Sequence, residues 1–322
     1  MYNGFIDKPM LENINTLKSP KGHLTWTSII GAKKPEIEYL RKKYKFNELD
    51  LRDSYSQNIA QRPKFYIRNG YSFLILQFPV FNKKTRTVDA EEVDFFISDQ
   101  SLITCHKNNL PPLVEFLNLC QTDKFYREQY LGDDGSSLLY EIIVRLQEYC
   151  YPIMDHMSLD IKNIESNIFK GHEREMVRET LLIKRNILNF RKIMEAHKDV
   201  LQKLSKTKAD YLAPAEMKSY YNDLIEHTKN IWDILNGQKE MIEALEDTNN
   251  ALISFKLNDI MRTLTVFSVI VFPLTLLAAI FGMNTVVGMP FVDHPYGFWI
   301  IIAIMLSGAF GMFIFFKKKR WI

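Results

Sequence analysis

Apolar and polar positions are spread very unevenly along the 322 residues. Between positions 22 and 107, short runs (HLTWTSII, PKFYIRNG, YSFLILQFPVF, TVDAEEVDFFIS and SLITCHK) alternate in character and are separated by turn-forming residues. That period of two predicts strands. Helical periodicity intervenes from about Lys34 to Lys45 and from about Pro112 to Cys120, so residues 1–135 read as an α/β domain. From Ser136 the strand pattern stops. Two helical segments, Ser137 to Lys170 and Glu173 to Lys206, with Gly171 as the break, predict an antiparallel hairpin within residues 136–212. A third pattern begins near Pro214, a residue favoured in a first helical turn, and meets no proline until Pro273. Unbroken to Phe281, such a helix is roughly 100 Å long at about 1.5 Å per residue. It must lie against its neighbours and against copies of itself, which predicts an oligomer.

Charge disappears from Thr263 to Val292, and Leu264 to Phe281 is almost wholly apolar. A second charge-free run, Pro295 to Phe316, opens with Tyr296 and Trp299 and closes on Lys317, Lys318, Lys319 and Arg320. Runs of about 20 such residues cross a bilayer core. Residues 213–262 therefore read as a stalk helix. Residues 263–322 read as a membrane hairpin, with a first span at about 263–281, an outer loop at 282–295, a second span at about 296–316 and a basic tail at 317–322. The basic tail is expected to stay in the cytoplasm, and two spans return the chain to the side it left. Both termini are then cytoplasmic in a multi-pass protein of the cell (inner or plasma) membrane. The first residues lack the apolar core of a signal peptide, as this orientation requires.

Composition narrows the function. The net charge of +3 balances 41 basic against 38 acidic residues, so no basic field argues for nucleic acid. The seven histidines form no HExxH or i, i+4 pair, and no GxxxxGK[ST] is present; neither metal catalysis nor ATP-driven pumping is expected. The chain does not read as an enzyme. Cys105, Cys120 and Cys150 form no CxxC and read as core packing. Glu91, Glu92 and Asp94 read as an exposed acidic strand face, and Asp155, Asp160 and Glu165 as solvated surface.

Stepping back from Gly282 by alternating threes and fours gives Ala279, Thr275, Phe272, Ser268, Thr265, Met261 and Asn258. Hydroxyls gathered on one stripe of a membrane helix suit either a helix packing seam or a water-filled path. A path needs several chains around an axis, because one hairpin cannot enclose it. Asn258 and Asn284 flank the stripe. Their amides offer oxygens and N–H donors without fixed charge, which suits a divalent cation that keeps its water shell, as Mg2+ does.

Gly282-Met283-Asn284 at the outer end of the first of two C-terminal spans, the loop with Met289-Pro290 and the terminal Lys-Lys-Lys-Arg-Trp resemble the CorA magnesium channels, the two-span GMN family. PLTLLAAIFGMN (Pro273 to Asn284), NDLIEHT and KRNILNFRK extend the resemblance over nearly the whole chain. It implies a funnel-shaped homopentamer in the lipid bilayer, an α+β membrane protein whose stalk helix continues into the pore. Carried over, Gly282, Met283 and Asn284 form the outer selectivity ring, and Asn258 holds a hydrated ion through its water shell, as Asn284 does. Met261 and Leu264 form the hydrophobic gate, and Thr275 is an inner polar ring. Lys317, Lys318, Lys319 and Arg320 resemble the basic collar, and Asp223 and Asp247 are the candidate regulatory-cation residues.

The chain departs from the family pattern twice. The loop expected to oppose Asp223 of a neighbour reads Phe81-Asn82-Lys83-Lys84-Thr85, so a lysine is expected to replace the regulatory ion. In the outer loop Val286 and Phe291 stand where acids are common, leaving Asp293 beside His294, a neighbour that also admits a softer ion. The function expected is passive, potential-driven Mg2+ uptake with no organic cofactor. The alternatives are Zn2+, Co2+ or Ni2+ transport on the same scaffold, or a membrane-anchored scaffold that conducts nothing.

Overall fold

The computed structural model describes residues 13–20, 22–55, 61–107, 110–131, 134–209, 211–284, 288–291 and 294–321. It divides into two compact units, Met1–Glu246 and Asp247–Ile322.

In the first unit, strands β1 (Ile14–Lys18), β2 (Thr25–Ile30), β3 (Lys64–Ile67), β4 (Ser72–Asn82), β5 (Thr87–Ile97) and β6 (Ser101–His106) form one sheet in the order β1-β2-β6-β5-β4-β3. Among the described residues only β2 and β6 pair in parallel, Thr25 opposite Ser101 through Ile30 opposite His106. Each of the five runs read as strands coincides with one of these strands to within three residues at each end. The short β1 was missed, because INTLK has too few alternations to signal. Side chains of β4 take opposite faces in turn. Phe73 and Ile75 pack with Phe96, Ile103 and the helices α1 (Lys34–Tyr44) and α2 (Glu48–Asp53). Leu74, Leu76 and Phe78 pack with Phe95, Trp26 and the helices of the other face. A sheet buried on both faces explains why YSFLILQFPVF is apolar almost throughout.

Turn chemistry sets the helix starts. Asn47 accepts from the Leu49 N–H to open α2, and two prolines open α3 (Pro111–Thr122), which is followed by α4 (Lys124–Tyr130). Asp134 accepts from the Ser137 N–H to open α5 (Gly135–Glu148). Such caps satisfy donors that a helix start leaves open. The two hairpin arms are not continuous as expected. The first divides at Tyr149 into α5 and α6 (Cys150–Phe169), and the second divides after Met194 into α7 (Glu173–Met194) and α8 (His197–Ser205). At the first break Pro152 has no N–H for the Glu148 carbonyl, and its ring crowds that carbonyl. The second break brings His197 to β4, where its Nε2 lies 2.6 Å from the Gln77 carbonyl.

Helix α9 (Met217–Phe281) is one uninterrupted run of 65 residues and starts three residues after Pro214. Within the first unit Tyr221, Leu224, Thr228, Ile231, Leu235, Gln238, Ile242 and Leu245 are buried at alternating threes and fours. This seam follows the rule of coiled-coil packing, and polar residues fix its register. The Gln147 Nε2 donates to the Leu224 carbonyl (3.2 Å) and the Thr228 Oγ1 (2.9 Å); the Gln238 Nε2 donates to the Met154 carbonyl and the Ser158 Oγ, both at 2.8 Å.

In the second unit, the rest of α9 and α10 (Gly297–Lys318) carry the two apolar runs almost unburied. Phe267, Phe272, Leu276, Trp299, Leu306 and Phe310 are all exposed. Soluble monomers do not present so extensive an apolar surface to water, and both helices are long and apolar enough to cross a bilayer.

Candidate functional site

The predicted stripe lies on the outside of α9. Asn258, Met261, Leu264, Thr265, Phe272, Thr275 and Ala279 are exposed and Ser268 is half-buried. The Thr265 Oγ1 donates to the Met261 carbonyl at 2.8 Å and the Thr275 Oγ1 to the Val271 carbonyl at 3.0 Å. With their hydrogens committed to the helix, both hydroxyls turn lone pairs outward. They can therefore accept hydrogen bonds from the water shell of a cation.

At the outer end, the Gly282 N–H still donates to the Ala278 carbonyl (3.0 Å) and the Met283 N–H to the Ile280 carbonyl (3.3 Å). A Cβ on Gly282 would stand 3.1 Å from the Ala278 oxygen, tighter than the turn readily allows. Glycine thus lets the chain leave the helix and expose Met283 and Asn284. Gly297 closes the other side of the loop. A Cβ there would collide with the Phe291 carbonyl oxygen. The His294 Nδ1 accepts from the Tyr296 N–H at 3.2 Å, so only its Nε2 is left for a ligand. Val286 and Asp293 lie outside the described residues.

The same alternation of threes and fours continues inward past Asn258, which the sequence reading did not follow. It meets Ser254, Ala251 and Asp247 in the second unit, and Ala244, Glu240, Gly237, Asp233 and Asn230 in the first. Every one of these is exposed. Small residues and carboxylates therefore alternate along the inner length of the helix, with Asp233, Glu240 and Asp247 seven apart. The signal was legible in the spacing alone.

Asp223 is not a bare carboxylate. The Tyr140 hydroxyl donates to it at 3.0 Å and the His227 Nε2 lies 3.8 Å away; burial and this hydrogen bond push the Tyr140 phenol up to about 12. In the β4–β5 turn, the Asn82 Oδ1 accepts from the Lys84 and Thr85 N–H groups and Arg86 pairs with Glu179, while Lys83 and Lys84 are exposed. Lys317, Lys318, Lys319 and Arg320 are exposed at the end of α10.

One expectation is corrected. Asp94 is buried, not on an exposed acidic face, and it shares a small cavity with Asp53, Ser54, Glu92 and His106. The register of β5 between β4 and β6 leaves it covered on both sides. Burial first, and then the charge of Glu92, push its carboxyl well above the usual range. A raised carboxyl stabilises the fold below its unfolded value and loses that contribution as pH rises through its folded one. The buried His197, lowered to about 4 by desolvation, acts in the opposite sense and costs stability as pH falls below about 6.5. Asp94→Asn is accordingly expected to raise the melting temperature of the purified full chain by several degrees at pH 8 and hardly at all at pH 4. An equal gain at both values would contradict this account. The expectation that Cys105, Cys120 and Cys150 are core residues holds, as all three are buried and free.

Comparison with known proteins decides the family. Residues 21–318 match the family described as CorA-like Mg2+ transporter protein. The chain belongs to the CorA family. It is 26% identical over 302 residues to the cobalt/magnesium transport protein CorA of Thermotoga maritima, covering 92% of this chain and 83% of that one. The complete structure of the CorA magnesium transporter from Methanocaldococcus jannaschii superposes with a TM-score of 0.82 at 23% identity, over 95% of this chain and 94% of that one. The zinc transport protein ZntB of Pectobacterium carotovorum is 21% identical over 261 residues, 81% of this chain and 77% of that one. The α/β domain, long helix and two C-terminal apolar helices are thus the CorA fold. As a CorA-family protein the chain is a divalent-cation transporter and not an enzyme.

Proposed function

We propose that this CorA-family chain assembles as a homopentamer around the α9 stripe in the cell (inner or plasma) membrane, with both termini cytoplasmic, and passes Mg2+ inward down the membrane potential. The observation that carries the reading is the exposed stripe from Asn258 to Gly282, whose hydroxyls offer acceptors and whose outer end presents Met283 and Asn284. Asn284 selects the hydrated ion at the outer mouth by hydrogen-bonding its water shell, and Asn258 receives it at the inner one. Met261 and Leu264 close the path when their apolar side chains exclude water. Asp233, Glu240 and Asp247 draw the cation onward. The potential supplies about 2.3 kcal/mol per charge per 100 mV, hence roughly 4.6 for a divalent ion, so no ATP is needed.

At Asp223 a lysine of the Lys83-Lys84 turn of the neighbouring chain takes the place of a regulatory ion; the exposure of both lysines supports this.

The test is uptake into proteoliposomes holding a Mg2+-sensitive dye, with an imposed inside-negative potential and no pH gradient. Mg2+ influx that scales with the potential and is only weakly reduced by equimolar Zn2+ is expected. Influx that needs a pH gradient, or Zn2+ that displaces Mg2+ outright, would make the chain a carrier of softer ions, as the relative named for zinc transport is.

A further inference from the structure

Among the described residues of the second unit, the buried hydrophobics are Val266 on α9 and Phe316 on α10. Both lie toward the end of the hairpin that carries the basic tail. There α10 closes in a full Schellman motif. Arg320 takes a left-handed backbone (φ 57°), its N–H donates to the Lys317 carbonyl at 3.1 Å, and the Trp321 N–H donates to the Phe316 carbonyl at 3.0 Å. Such a turn satisfies carbonyls that the helix end leaves open, and it is normally completed by an apolar contact across it. Here that contact is the Trp321 indole stacked on Phe316, with centroids 5.8 Å apart and planes at 28°. An arginine adopts this backbone less readily than a glycine would, so the closure depends on what Trp321 gains by folding back.

The same indole meets the pore helix. The Arg262 guanidinium lies 5.8 Å from its centroid. The Arg262 Nε, shielded from solvent, has no hydrogen-bond acceptor among the described residues. The indole ring is thus within cation–π reach of this guanidinium. Arg262 is one turn before Val266 and next to Met261, but points roughly 100° around the helix from Met261. A rotation of α9 about its own axis turns Met261, Leu264 and the whole stripe together, and it also carries Arg262 off the ring.

We propose that Trp321 is a positioning residue for conduction: through Arg262 it couples the rotation of the pore helix at Met261 and Leu264 to the C-terminus of the second span. This role rests on the reading of α9 as the pore helix. In the uptake assay Trp321→Leu and Arg262→Gln are each expected to change initial Mg2+ influx by about threefold to tenfold, the range over which a cation–π contact biases a two-state element. The double variant should do no more than either single one. Trp321→Phe and Arg262→Lys, which keep a ring and a charge, should return influx to within about twofold of the wild type. Thermal denaturation of the same purified proteins should show the same lack of additivity, a readout independent of transport. Singles that leave influx unchanged in a conducting background, or a double variant whose effect is the product of the two, overturn the proposal. A wild-type chain that carries no divalent cation overturns the transport reading itself, and this role falls with it.

Discussion

Asn284→Ala is expected to lower potential-driven Mg2+ uptake by roughly tenfold or more, because each lost hydrogen bond to a charged, hydrated ion is worth about 1.5–3 kcal/mol and a ring repeats the loss in every chain. The amide stands exposed at the end of a helix that glycine releases at position 282. Nothing else at that end replaces its carbonyl oxygen among the described side chains. Asn284→Asp should fail in another way. In the proposed pentamer five carboxylates would attract the ion more strongly and release it slowly, so uptake should saturate at lower Mg2+ with a reduced maximal rate. Initial rates against external Mg2+ separate the two variants. Wild-type rates in Asn284→Ala would refute the filter assignment, and tighter, faster uptake in Asn284→Asp would refute the hydrated-ion argument.

Charge reversal of the inner carboxylates is the second large effect. Replacing Asp233, Glu240 and Asp247 together by lysine changes each ring by about ten elementary charges in a pentamer, enough to turn an attracting field into a barrier. Uptake should fall by about tenfold or more at low ionic strength, and part of the loss should disappear in high salt as the field is screened. The three residues are exposed and lie away from the buried seam of α9, so folding should be spared. Melting curves of the purified variant check this directly. A loss of uptake independent of salt would assign these residues a role other than long-range attraction.

The sequence made most of this architecture readable because its strongest signals are periodic. Two charge-free runs, a tail of four basic residues and a stripe at threes and fours need no knowledge of partners. Short elements escaped, as INTLK did for β1 and KFYREQY did for α4. The breaks at Tyr149 and after Met194 were missed for a different reason. Pro152 lies inside an otherwise helical pattern, and the second break has no sequence signal of its own. Burial of Asp94 was hidden because acidic neighbours on a strand normally face water, and only the pairing of β5 between two strands shows otherwise. The inner carboxylates were readable in principle. Their spacing follows the membrane stripe without a missed step, but they sit among ordinary charged surface residues. The contact of Arg262 with Trp321 joins positions 59 apart and could come only from three dimensions.

Helix α9 carries two seams at once, the buried one from Tyr221 to Leu245 and the exposed one from Asn230 to Ala279. Both keep the same seven-residue period, on opposite sides of the helix. One inserted or deleted residue turns everything beyond it by about 100°, which would present lipid-facing leucines to the proposed ion path and its amides to hydrocarbon. The length of this helix can therefore drift through evolution only in whole heptads, while the loops around the sheet remain free to grow and shrink one residue at a time.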